Sequence, residues 1–289
     1  MIPPTFEYVA PKTLSEAVAA LGKHENAKVL AGGQSLIPLM RFRLASPAML
    51  VDINRVEGLS YIKEDKGWLK IGSMTRQSSV DHSALVREKF PLLADTVSVL
   101  SDPIVRNRGT VGGNIANGDP GNDYPATMLA YGAEIVAMGP KGERVIPITS
   151  FFIGLYESAL APNEILTEVR IPAPKPNSGG AYLKLERKVG DFATAAVAAQ
   201  VELDAKGKFK SVGLGLTNVG LTAIKATAAE DFLKGKDASD DNIRQVAQLA
   251  ADASQPIADV RGSEEYKRSL VKTYTVRALR LAVQRAKGG

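Results

Sequence analysis

Ala31-Gly32-Gly33-Gln34-Ser35 and Gly109-Thr110-Val111-Gly112-Gly113-Asn114 decide how this chain reads. The first follows Lys28-Val29-Leu30, a short strand pattern, and Ser35-Leu36 then opens a helical one. A glycine pair at such a turn lets the main chain approach a ligand with no Cβ in the way. Successive amides there form an electropositive concavity suited to a diphosphate. The second stretch repeats this chemistry and runs into Asn117-Gly118-Asp119-Pro120-Gly121-Asn122-Asp123. One glycine pair alone reads equally well as a tight strand–helix connection. Two, each ending in small polar side chains, point to one dinucleotide held from both sides. The Asx-rich run also has two readings: its side chains close their own loop, or they reach a ribose or a ring edge.

Common nucleotide fingerprints are missing. No Gly-x-Gly-x-x-Gly opens a helix after a strand, and no Gly-Lys-Ser/Thr closes a P-loop. The spacing of Asp119 and Asp123 does not match an EF-hand. Cysteine is absent, so this chain forms no disulfide and ligates no iron–sulfur cluster through its own thiolates. With only His24 and His82, neither a histidine zinc site nor a Ser/His/Asp set is expected. The net charge of +5 is modest. Its densest stretch, Arg277, Arg280, Arg285 and Lys287, reads as the solvated face of a C-terminal helix. Nucleic-acid binding is disfavoured. No apolar run is long enough to span a bilayer, and the opening Met1-Ile2-Pro3-Pro4-Thr5-Phe6 carries no secretory pattern. A cytoplasmic address is expected, with the inner face of the membrane as the alternative.

With 289 residues, two domains are expected. Thr13-Leu14-Ser15-Glu16 is a capping box for a helix through Leu21. Ser35 is expected to cap a second helix, and Met49–Asp52 to return as a strand, giving a small lobe over residues 1 to about 55. In a second lobe, 56–175, strands are expected at Trp68–Ile71, Ala133–Met138, Arg144–Ile148 and Ile165–Ile171. Thr75 and Asp123 are expected to cap helices, and another helix buries Leu92, Leu93, Thr96 and Val97. Pro172 to Gly180 reads as a linker. Beyond it, residues 176–289 show strands at Tyr182–Arg187, Ala195–Leu203 and Val212–Thr217, then helices near 222–234, 240–253 and 263–287. In Lys184-Leu185-Glu186-Arg187-Lys188-Val189-Gly190-Asp191-Phe192, a charged strand enters a turn presenting one aromatic. Phe192 either plugs the core or lies against a planar ring.

Together these segments resemble the FAD-binding medium subunit of the molybdenum hydroxylases, the xanthine dehydrogenase/CO dehydrogenase group. The two glycine stretches are similar to the family's FAD pyrophosphate loops. Asn117-Gly118-Asp119-Pro120-Gly121-Asn122-Asp123-Tyr124-Pro125-Ala126, Gly215-Leu216-Thr217-Asn218-Val219 and Arg261-Gly262-Ser263-Glu264-Glu265-Tyr266 resemble its CO dehydrogenase branch. The resemblance spans the whole chain. It departs at Gln34, where CO dehydrogenase flavoproteins often carry histidine, and at Phe192, where many relatives carry tyrosine.

The resemblance implies an α+β, vanillyl-alcohol-oxidase/PCMH-type FAD-binding fold: two N-terminal α+β lobes and a C-terminal domain of antiparallel strands plus helices. FAD would meet Lys28, Val29, Leu30, Ala31, Gly32, Gly33, Gln34, Ser35 and Leu36 on one side. Gly109, Thr110, Gly112, Gly113, Asn114, Asn117, Gly118, Asn122 and Asp123 would lie on the other, with Asp123 toward the ribose. Leu166, Lys184 and Phe192 would border the isoalloxazine end. The resemblance implies no catalytic residue in this chain. It implies a large subunit carrying a molybdopterin cofactor and a small subunit carrying two [2Fe–2S] clusters, in a dimer of heterotrimers. Electrons would reach FAD from those clusters and leave to an outside acceptor. The alternatives are a stand-alone FAD-dependent oxidase or reductase of the same fold and a non-catalytic nucleotide-binding module.

Overall fold

The computed structural model describes residues 2–289. The first lobe contains β1 (Glu7–Val9), α1 (Leu14–Leu21), β2 (Ala27–Leu30), α2 (Leu36–Arg41) and β3 (Met49–Asp52). The capping box at Thr13 and Glu16 forms in both directions and starts α1. Strands β1, β3 and β2 pair in parallel, in that order, so β2, α2 and β3 make a right-sized crossover and the first glycine stretch is the turn at its top. Ser35 occupies the N-cap position of α2, but its side chain makes no capping bond.

The second lobe begins with β4 (Ile62–Asp65) and β5 (Trp68–Gly72). Helices α3 (Gln77–Asp81), α4 (Ala84–Lys89), α5 (Pro91–Ser98), α6 (Pro103–Arg108), α7 (Val111–Ala116) and α8 (Asp123–Tyr131) follow. Strands β6 (Glu134–Gly139) and β7 (Gly142–Pro147), the small hairpin β8 (Phe152–Gly154) and β9 (Glu157–Ser158), and β10 (Ile165–Pro172) complete it. The main sheet is antiparallel, in the order β4-β5-β10-β6-β7. Thr75 does not cap α3 as its sequence position suggests: Arg76 takes that place, and the Thr75 hydroxyl bonds to both backbone groups of Tyr61. The second glycine stretch is also not an open loop. Gly112 and Gly113 lie in the first turn of α7, whose N-cap Thr110 accepts from the Gly113 amide.

The last part carries β11 (Ser178–Glu186), β12 (Ala193–Leu203), β13 (Phe209–Thr217) and β14 (Ile224–Lys225), an antiparallel sheet in chain order. Helices α9 (Thr227–Leu233), α10 (Asp240–Ala253) and α11 (Glu264–Ala286) close the chain. The linker inferred over Pro172 to Gly180 shrinks to the residues between β10 and β11. Pro172 ends one strand and Ser178 begins the other.

β12 is buried along almost its whole length because its sheet is covered on both faces. Ala195, Val197, Ala199 and Val201 face α10 and α11. Ala196, Ala198 and Tyr182 join the core of the second lobe, beside Leu92, Tyr124, Met128 and Val169. Helix α8 lies between that lobe and the C-terminal sheet. A Cβ at Gly213 or Gly215 would collide with the carbonyls of Ala130 and Ala126 on α8. Gly215→Ala is therefore expected to destabilise the protein by about 1–3 kcal/mol through overpacking against a backbone that cannot yield. A denaturant midpoint lowered at unchanged slope would register it; an unchanged midpoint would mean that α8 is not seated as described.

Candidate functional site: a cleft between the two N-terminal lobes

The glycine stretches, far apart in sequence, touch in space. An ideal Cβ on Gly32 would lie 2.5 Å from the Arg108 carbonyl oxygen and 2.8 Å from the Gly109 Cα. One on Gly113 would approach the Ala31 Cβ to 3.4 Å. A crevice of about 60 Å³ opens beside this contact. Val29 and Ala31 line it from the first lobe, and Ser73, Met74, Gly112, Gly113 and Leu166 from the second.

The two stretches contribute differently. Gly33 adopts φ +75°, the left-handed region that favours glycine. Among the described residues, the amides of Gly32, Gly33, Gln34 and Ser35 donate to no group within the chain. They form the electropositive turn that the sequence suggests. The second stretch spends its amides internally. Val111 donates to Thr75 O, Gly112 to Ser73 O and Asn114 to Thr110 O. Gly112 is required instead for packing, since its Cβ would come within 2.5 Å of the Ser73 Cβ. The second stretch therefore supplies a smooth wall and polar side chains rather than a second nest of amides.

Several of those side chains want partners. Ser73 Oγ, Gln77 Oε1, Asn114 Oδ1 and Asn117 Nδ2 are buried and hydrogen-bonded to nothing in the chain. Buried polar groups are seldom left unpaired, because each costs about 1–3 kcal/mol. A wall that combines free amides, glycine surfaces and orphaned amide and hydroxyl groups fits a long ligand rich in both donors and acceptors. A dinucleotide such as FAD has that character.

The other residues expected at the site are placed as follows. Val29 faces the crevice; Lys28 and Leu30 alternate away from it, and Leu30 packs under Gly33. Gln34 Nε2 folds back to Gly32 O at 3.3 Å, and Leu36 is half-buried at the start of α2. Gly118, at φ +61°, accepts from the Tyr156 amide of the β8–β9 hairpin. Asn122 donates to Asn114 O at 3.1 Å, tying α8 to α7. Phe192 is half-exposed and packs on Gly121, 3.1 Å from where its Cβ would stand. Its turn is anchored from two sides. Asn218 Nδ2 donates to Ala193 O at 2.6 Å, and Arg261 pairs with Asp191 at 3.0 Å. The Gly215–Val219 and Arg261–Tyr266 stretches thus act by holding the Phe192 turn.

Asp123 is not the helix cap that its position suggests. Asn122 is the N-cap, and Asp123 is the first helical residue. Its carboxylate is buried, accepting from Tyr182 Oη at 2.6 Å and from Lys184 Nζ at 3.1 Å. Lys184 is buried too and also donates to Val99 O at 2.9 Å. Burial pushes the Asp123 carboxyl above the usual carboxylate range, against the pull of Lys184 and Tyr182. Asp119, likewise raised by burial, accepts from the Gly121 amide at 2.9 Å.

Sequence reasoning missed three residues here: Asn54, Arg76 and Tyr182. Asn54 Nδ2 donates to Ala31 O at 2.8 Å, and Arg76 donates to Asn54 Oδ1 at 2.7 Å and to Arg108 O at 2.6 Å. The Asp52-x-Asn54 spacing is a turn signal that marks a folded loop end but not its partner. Nothing local in the sequence singles out Arg76 or Tyr182.

Comparisons with known proteins establish the family and the fold. Residues 4–174 match the family described as the FAD binding domain in molybdopterin dehydrogenase. Residues 180–282 match the CO dehydrogenase flavoprotein C-terminal domain. The carbon monoxide dehydrogenase medium chain of Hydrogenophaga pseudoflava is 42% identical over 98% of this chain and 98% of its own. The xanthine dehydrogenase FAD-binding subunit of Escherichia coli O157:H7 is 28% identical over 97% of each. A solved structure of carbon monoxide dehydrogenase from Hydrogenophaga pseudoflava, lacking the Mo-pyranopterin moiety of its cofactor, superposes with a TM-score of 0.96 at 44% identity, covering 99% of both chains. The fold is thus the PCMH-type FAD-binding fold. With both lobes and the C-terminal sheet covered by the same relatives, the chain belongs to the FAD-binding medium subunits of the molybdenum hydroxylases, a family of oxidoreductase subunits that includes those of CO dehydrogenase and xanthine dehydrogenase.

Proposed function

We propose that this chain is the electron-exit subunit of a three-subunit molybdenum-dependent dehydrogenase, assembled as a dimer of heterotrimers in the cytoplasm. One partner is a large subunit with the molybdopterin cofactor; the other is a small subunit with two [2Fe–2S] clusters. The observation that carries the reading is the cleft, where free amides of one lobe face glycine surfaces and unpaired polar groups of the other. Among the described residues no helix is long and apolar enough to cross a membrane. The relatives' names as medium chains, and as a subunit of a 6-hydroxypseudooxynicotine dehydrogenase complex in Paenarthrobacter nicotinovorans, support a multi-subunit assembly.

On this reading, the Gly32–Ser35 amides and Thr110 hold the diphosphate. Asn114, Asn117, Gly118 and Asn122 meet the polar parts of the cofactor. Leu166 and Phe192 border its ring, where Phe192 offers an aromatic face and no hydroxyl. Asp123 and Lys184 anchor the start of α8, and Asn122 with it, against the C-terminal sheet. The flavin supplies the redox chemistry, exchanging electrons singly or in pairs. This chain binds it and orients it. The division into a flavin-binding part, 1–175, and a C-terminal part, 176–289, belongs to the proposal and is supported by the positions of the two family matches.

The purified complex is expected to carry FAD and to be bleached by the organic or gaseous substrate of its large subunit. The chain alone, loaded with FAD, is expected to be bleached by dithionite but by no such substrate. Bleaching of the isolated chain by a substrate would favour the self-sufficient oxidase. Failure of the chain to take up FAD, alone or in the complex, would remove the flavoprotein assignment.

A further inference from the structure

Two side chains outside the glycine stretches bind those stretches to each other. Asn54 uses both amide hydrogens, one on Ala31 O at 2.8 Å and one on Asp52 Oδ1 at 2.6 Å. Its Oδ1 accepts from Arg76 Nη2 at 2.7 Å. This network fixes the amide's orientation: a flip would set Oδ1 against two acceptors and the NH₂ group against a guanidinium. Arg76 Nη1 donates to Arg108 O at 2.6 Å, the same carbonyl against which Gly32 packs. The path Ala31–Asn54–Arg76–Arg108–Gly32 closes on itself and spans both lobes.

The closure has a directional consequence. A peptide unit is planar and trans, so its C=O and N–H point opposite ways. With Ala31 O drawn into Asn54, the Gly32 N–H is aimed away from Asn54, and it has no acceptor within the chain. Gln34 Nε2 on Gly32 O does the same for the Gly33 N–H. Each of these two amides is thus aimed by a carbonyl held on the opposite side of its own peptide.

The clamp also carries a charge. Arg76 is half-buried and pairs with no carboxylate among the described residues; Asp52 acts on it only through space. Burial first, and then Arg108, hold its pKa below the ordinary arginine value, and a guanidinium stays charged in proteins. A partly desolvated cation with no counter-ion is favoured by the arrival of an anion.

We propose that Asn54 and Arg76 are positioning residues for the diphosphate of the dinucleotide: Asn54 aims the first glycine turn, and Arg76 locks the turn to the second stretch and supplies the counter-charge. The inference rests on the flavin reading above. It leaves the electron path and the partners untouched.

The test measures FAD affinity, by fluorescence quenching, over a range of sodium chloride concentrations. The protein is the full chain, alone and in complex with its co-expressed partner subunits. Losing one or two charge-assisted hydrogen bonds, at about 1.5–3 kcal/mol each, corresponds to a loss of at least about tenfold. Arg76→Gln is expected to weaken FAD binding by that factor and to flatten its salt dependence. Asn54→Ala is expected to weaken binding while keeping the salt slope, because the cation remains. Arg76→Lys is expected to restore the slope but not the full affinity, since an ammonium lacks the fork that reaches two acceptors. It also serves where Arg76→Gln does not fold, as read by circular dichroism of the apoprotein. Riboflavin, which has no diphosphate, is the control ligand, and its affinity is expected to be the same in all variants. Variants that bind FAD with unmodified affinity and slope, or that lose riboflavin equally, would overturn the inference. If the unmodified chain binds no FAD in either form, the flavin reading itself fails, whatever the variants do.

Discussion

Gly32→Ala is expected to strip the flavin from this protein while leaving most of the chain folded. The added Cβ would stand 2.5 Å from the Arg108 carbonyl oxygen and 2.8 Å from the Gly109 Cα, and both neighbours are backbone. Neither can yield cheaply. Arg108 O is held by Arg76, Gly109 O accepts from the Gln77 amide at 3.0 Å, and the Gly109 amide donates to Val105 O at 2.7 Å. The first turn must move away instead, and the free amides of Gly32 to Ser35 move with it. Losing two such bonds to a charged phosphate, at about 1.5–3 kcal/mol each, lowers affinity by more than about a hundredfold. The measurement is the ratio of flavin absorbance to polypeptide after gel filtration. Full flavin content in Gly32→Ala would mean that the two stretches do not share one ligand.

Lys184→Met is expected to lower stability by about 3–5 kcal/mol, because it leaves the Asp123 carboxylate buried without its cation. For a chain of this size that corresponds to a fall in melting temperature on the order of 10 °C. The deficit has a defined pH dependence. Burial already raises the Asp123 carboxyl, and removing Lys184 raises it further. A carboxyl raised on folding binds its proton more tightly in the folded state than in the unfolded one. Its contribution to stability therefore falls as pH rises through the unfolded value and toward the folded one. The Lys184→Met deficit should shrink as the solution is acidified. Asp123→Asn in the same chain should recover part of the loss at neutral pH, since a neutral amide can still accept from Tyr182 Oη. A deficit that grows on acidification, or no recovery in the double variant, would show that the pair is not the buried couple described here.

Much of the fold could be read locally. The Thr13–Glu16 box, the strand before the first glycine stretch and the helix over 240–253 are set by caps and by periodicity, which neighbours in sequence determine. The second glycine stretch follows a helix, α6, and not a strand. The readings that failed share a cause. Thr75 and Asp123 stand where a cap is expected, but each is claimed by a distant partner: Tyr61 for one, Tyr182 and Lys184 for the other. Gly179 and Gly180 read as linker, yet they lie within β11. Gly179 has no side chain because the α11 backbone at Ala282 leaves no room for one. Glycine has the same letter whether it serves a turn or a close approach, and only packing tells the two apart. The glycine stretches stand out in the sequence because backbone chemistry is written in composition, although only the first keeps its amides free and the second serves packing. Asn54 and Arg76 were not, because their role is to face each other across two lobes.

The placement of α8 bears on how this subunit could be divided or borrowed. Its N-cap Asn122 is tied to Asn114 of α7, while its flank rests on Gly213 and Gly215 of a strand encoded much later. A truncated polypeptide ending near residue 175 would keep every glycine of the binding motif yet lose the shelf on which one rim of the cleft is supported. Grafting the amino-terminal portion onto another scaffold should therefore yield a colourless product unless the downstream sheet travels with it.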